Sequence, residues 1–181
     1  QAQDRDIDPV FGRFAARTRD RAAGIDVRPV VPSREDKSIS AEETFDVDLS
    51  ARNDLRRHLL KLAERTAGRL RAKDLVAGTV QIKIRQDDFS TYTRQCAMRP
   101  PVNSTETLYG AATKLLDDWL SENPGAKIRL LGVGGSELGR DSQPDLFAPT
   151  TKSGGSQLDQ TVDQIRDKFG DLSLERARTL D

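Results

Sequence analysis

The chain has 181 residues, and its 29 lysines and arginines are balanced by 29 aspartates and glutamates. Hydrophobic residues make up 35% and aromatics 5%, too little for every segment to pack into a core. No apolar run approaches the ~18 residues of a membrane-spanning helix, and the single cysteine, Cys96, excludes an intrachain disulfide and suits a reducing compartment.

The opening QAQDRDIDPVF starts at Gln1 and lacks the charged-then-apolar layout of a secretory leader. It predicts a cytoplasmic protein without a membrane partner, read here as a piece of a longer polypeptide. Zero net charge argues at first against a nucleic-acid partner. By segment the picture differs. Residues 1–36 carry 7 basic and 7 acidic residues, 37–140 carry 17 and 14, and 141–181 carry 5 and 8. A domain of net +3 is thus offset by a tail of net −3.

In chain order, residues 1–24 contain a short helical stripe of Phe11, Phe14, Ala15 and Ala22, with Gly24 as its stop. Residues 25–37, with Pro29 and Pro32, read as an extended linker. A folded domain is expected over 38–138. Its first strand is SISAEETFDV (38–47), and Leu55, Leu59, Leu62, Thr66 and Leu70 recur at helical spacing over 52–71. Residues 79–85 alternate strictly, with Val80, Ile82 and Ile84 against Gln81, Lys83 and Arg85. Asp87 and Asp88 mark a bend before a second strand over 90–98, which Pro100-Pro101 should end. Ser104 caps a helix with the stripe Leu108, Ala112, Leu115 and Trp119, stopped by Asn123-Pro124-Gly125. KIRLLGV (127–133) is the last strand.

The fold class is therefore α+β, in the order β-α-β-β-α-β. Right-handed crossovers place both helices on one face of a four-stranded sheet, leaving an open face that is solvated or binds something. Residues 139–156 read as a flexible tail. Over 157–181, Leu158, Val162, Ile165 and Phe169 form a helical stripe with Ser156 as N-cap and Gly170 as stop, and Ser173 caps a last short helix. The aspartates at 159, 163, 167 and 171 read as a solvated face.

No catalytic residues emerge. His58, the only histidine, reads as a core-edge helix residue and Cys96 as a small hydrophobe. Asp87-Asp88 and Asp117-Asp118 are adjacent carboxylates, but neighbours diverge in a strand or a helix, so neither pair makes a metal site. Gly132, Gly134 and Gly135 lack the lysine and helix of a phosphate loop. The cationic strand face says more. Lys83 and Arg85 share it, and Lys37, Arg94, Arg99 and Arg129 could join them. Few aromatics favour phosphate contact over base stacking, with Thr93, Gly132 and Gly134 letting backbone amides approach a phosphate backbone. An ordinary solvated face carries the same residues, so pattern alone leaves both readings.

KSISAEETF (37–45), TVQIKIRQDDFSTYTRQ (79–95) and IRLLGVGGSEL (128–138) resemble the little-finger domain of Y-family DNA polymerases, nearest the bacterial DNA polymerase IV branch. AAGIDVRPVVPSRE (22–35) is similar to the end of that family's thumb and its linker. The resemblance implies that Lys37, Ser38 and Ser40 touch phosphates, and that Arg94 and Arg129 match basic or backbone contacts. At Leu130 some relatives carry a second basic residue. It also implies a translesion polymerase parent that uses magnesium and keeps its catalytic carboxylates upstream, with primer–template DNA as partner and a monomeric state. No cofactor is expected in this chain. QPDLF, with Gln143, Leu146 and Phe147, resembles the pentapeptide that binds the bacterial sliding clamp; Leu-Phe folding back on its own domain is the alternative. A non-catalytic accessory or interaction domain of the damage response is the second functional reading, and metal-binding carboxylates upstream would discriminate against it.

Overall fold

The computed structural model describes residues 4–31, 35–140, 154–170 and 173–177. It forms two units, Gln1–Glu35 and Asp36–Asp181. The smaller holds helices α1 (Asp4–Phe11) and α2 (Ala15–Ala22), joined by a 3₁₀ turn over Gly12–Phe14. Of the expected stripe only Ala15 is buried; Phe11 and Phe14 are exposed. Gly24 follows at a φ of 75°, a left-handed stop that glycine adopts without strain.

The larger unit contains β1 (Ser38–Leu49), α3 (Arg52–Arg71), β2 (Leu75–Gln86), β3 (Thr91–Val102), α4 (Thr105–Glu122), β4 (Ile128–Arg140) and α5 (Gly154–Phe169). Through β4 the order is the expected β-α-β-β-α-β. The four strands form one sheet in the order β1-β4-β2-β3, every neighbouring pair antiparallel. Each helix crosses over one intervening strand: α3 joins β1 to β2 and α4 joins β3 to β4.

One layer of apolar side chains holds helices to sheet. Leu55, Leu59, Leu62 and Leu70 of α3 and Leu108, Ala112, Leu116 and Trp119 of α4 meet Ile39, Phe45, Val80, Ile82, Ile84, Leu131 and Val133. Burying each larger side chain contributes about 1.5–3 kcal/mol. The Thr66 hydroxyl, fully buried on α3, donates to the Val133 carbonyl at 3.0 Å, so its polar atom is satisfied inside the layer. Ser104 caps α4 as read, its Oγ accepting from the Thr107 N–H at 3.3 Å.

All four strands outrun their expected ends, β3 and β4 by the most. β3 continues through Pro100-Pro101 to Val102, which pairs with Ala77. It is an edge strand, bonded on one side only, so a proline's missing donor costs no ladder bond if it faces outward. β4 continues through Gly134 and Gly135, flanked by β1 and β2 as far as Ser136, and runs on to Arg140 along β2 alone. The Cβ that residue 135 lacks would fall 2.7 Å from the Ala77 Cβ, so the strands' packing here requires a glycine.

The tail differs more. α5 begins at Gly154, placing Ser156 inside the helix, and Gly170 ends it at a φ of 90°. Among residues 173–177 no α-helical turn forms, and Leu180 lies outside the described residues. Asp159, read from sequence as solvated, is 2% exposed.

Candidate nucleic-acid interface

Both crossover helices cover one face of the sheet, and pairing register determines which side chains reach the other. Lys83 lies opposite Thr93 of β3 and Gly132 of β4. Gln81 lies opposite Gln95 and Gly134, and Arg85 opposite Thr91 and Leu130. Across β4, Ser40 pairs with Gly134 and Glu42 with Gly132, while Ser38 pairs with Ser136. Directly paired residues share a face. Ser38, Ser40, Lys83, Arg85 and Thr93 therefore come together on the open face, and Lys37 stands exposed at its edge just before β1.

Gly132 shapes the centre of this face. A Cβ there would lie 2.9 Å from the Glu42 Cγ and 3.3 Å from the Lys83 Cβ. Its absence lets Glu42 and Lys83 meet across β4, Oε2 to Nζ at 2.9 Å. Gly134 opens a like gap between Gln81 and Ser40. The expectation that Gly132 and Gly134 present amides to phosphate is not met. Both are buried beneath neighbouring side chains, in an inner strand laddered on both sides. They act as spacers. Glu42, an acidic residue among these cations, was missed by sequence reading; its two-residue step from Ser40 in SISAEE was the available signal.

Two other expected residues sit elsewhere. Arg94 pairs with Ile82, so it leaves β3 on the helix side, 3.7 Å from Glu122. It does not share the face of Lys83. Arg129 lies between two core residues three apart, Ile128 and Leu131, where pairing with β2 slips between Arg85 and Gln86. Its guanidinium bonds Asp48 at 3.1 and 3.2 Å and stands 5.0 Å over the Phe89 ring. Hydrogen bonding to Asp48, reinforced by its charge, raises the Arg129 pKa further, keeping the group cationic. Arg85 is steadied by donating to Thr91 Oγ1 at 2.9 Å.

His58 is a core-edge residue, its Nδ1 3.0 Å from Glu43 Oε2 and its ring edge-on to Phe45. Among the described residues, no group of three or more histidine, cysteine, aspartate or glutamate side chains is placed to hold a metal ion, and no helix is long and apolar enough to cross a membrane. The magnesium expected of a polymerase parent has no cluster of ligands among the described residues. Gln143, Leu146 and Phe147 lie outside the described residues.

The span holding this sheet and its crossover helices, residues 36–146, matches the impB/mucB/samB family C-terminal domain, and the chain belongs to that family. Its sequence relatives are DNA polymerases IV, the type its motifs resemble. The enzyme of Dehalococcoides mccartyi is 37% identical over 170 residues, covering 93% of this chain and 43% of the relative. That of Streptomyces coelicolor is 44% identical over 123 residues, covering 68% and 25%. The protein thus spans less than half of each. Among solved structures, a post-insertion binary complex of Dbh DNA polymerase shares the fold at a TM-score of 0.52 and 14% identity, over 77% of this chain and 40% of that one. The insertion ternary complex gives 0.51 at 14% identity, over 75% and 38%.

Proposed function

We propose that this protein is the DNA-gripping part of a translesion polymerase, laying the open face of its sheet along the phosphate backbones of primer–template DNA. One observation carries the reading: among the described residues both crossover helices pack on one side of the sheet, and Lys83, Arg85 and Thr93 stand together on the other. Lys37, Ser38 and Ser40 supply donors at the start of β1, and Arg129 adds a fixed cation near the turn. The relatives named DNA polymerase IV support the same reading. Such a surface grips by charge and shape, with little readout of bases. In this reading nucleotide transfer and its magnesium reside in residues outside this sequence, and QPDLF (143–147) tethers the protein to the bacterial sliding clamp.

The test is the salt dependence of duplex binding. Removing two phosphate contacts with Lys83→Ala and Arg85→Ala weakens binding alike on unrelated sequences and flattens the slope of log K against log salt by about two. An unchanged slope with full affinity contradicts the proposed face.

A further inference from the structure

The side of the domain away from the open face carries a second polar construction. Arg71, on the last turn of α3, reaches α5: Nε and NH2 donate to the two Asp163 oxygens at 2.6 and 2.9 Å, while NH1 donates to the Asn103 carbonyl at 2.8 Å and lies 3.3 Å from Asp159 Oδ2. That Asp159 oxygen also accepts the buried N–H of Thr105, the first residue of α4, at 2.8 Å. The other Asp159 oxygen accepts from Arg176 at 2.8 Å. Arg176 continues to Glu64 of α3, and Arg166 of α5 lies 3.5 Å from the same carboxylate. Among the described residues, three carboxylates and three guanidiniums thus join α3, α4, α5 and the segment after it in one network.

Apolar burial adds little to this attachment. Val162 is 6% exposed, but Leu158 and Phe169 of the same helix are 52% and 67% exposed. Ion pairs taken out of water roughly offset their attraction against lost solvation, so they fix geometry more than they add stability. The attachment is specific in register and weak beside the leucine-rich layer beneath α3 and α4.

We propose that α5 with residues 173–177 is a detachable ionic strap. Closed, it fastens α5 and residues 173–177 onto the helix side of the domain. Open, Arg71 and the Thr105 N–H lose Asp163 and Asp159 and are left as a receptor for another carboxylate.

Hydrogen exchange on the full 181-residue protein, without any partner, tests it. In wild type the amides of 157–169 are protected, yet exchange faster than Val80–Ile84. Arg71→Ala or Asp159→Asn brings 157–169 close to unprotected rates with β2 protection retained, and the milder Asp163→Asn gives an intermediate result. Protection of α5 equal to that of β2 and insensitive to these changes would overturn the strap. So would loss of β2 protection in all three variants, or an α5 already unprotected in wild type.

Discussion

Glu42 and Lys83 meet only because residue 132 has no side chain, and that single contact lowers the positive potential at the centre of the open face. The carboxylate is more than a third exposed and the amine about a third, so the pair itself adds little stability. Its consequence is for binding. Glu42→Gln removes a carboxylate that repels phosphate and frees the ammonium of Lys83, so duplex affinity at low salt rises by about threefold while the stability of the fold stays nearly constant. Anisotropy titrations at two salt concentrations read this directly, and a fall in affinity would show that Glu42 supports the face. At this scale much was legible in the residues: the alternation of 79–85 put Lys83 and Arg85 on the side away from Val80 and Ile82, where the sheet holds them. Arg94 was not legible, because STYTRQCAM has too few strong apolar residues to phase itself. The turn after Gln86 and the pairing of Thr93 with Lys83 set its phase.

Elements followed their local signals where those signals were strong and departed where neighbours decided. The four-three spacing of leucines in α3 and the Ser104 cap of α4 were both realised. The proline stop expected in β3 and the early end expected for β4 were overridden by position: an edge tolerates proline, and an inner strand held from both sides carries glycine. The aspartates of α5 show a different limit. A spacing of four says that Asp159 and Asp163 share a face, and nothing in their own segment says that the face meets Arg71, which lies 92 residues before Asp163. The strap proposed above is therefore a tertiary feature, made by groups distant in sequence.

Across the whole molecule, zero net charge is the sum of a domain at +3 and a tail at −3. Part of the tail's acidity is neutralised internally, by arginines of the domain and of the tail itself, so it does not simply shield the open face. On the proposed function, a domain of only +3 grips DNA modestly, and a tether that raises local concentration would complement it. For the pentapeptide, Leu146→Ala with Phe147→Ala abolishes complex formation with the bacterial sliding clamp in a pull-down or surface-binding assay, with the circular dichroism spectrum and melting curve unchanged. Full clamp binding by that variant would remove QPDLF from the account.

The central claim is that DNA lies on the open face and not on the helix side, and Thr93 and Arg94 are adjacent residues pointing to opposite sides of one strand. A photo-crosslinking side chain placed at position 93, and separately at 94, tests the claim with a difference of one residue. In complex with primer–template DNA, the account predicts strong crosslinking from 93 and little from 94. Crosslinking from 94 with none from 93 would contradict it.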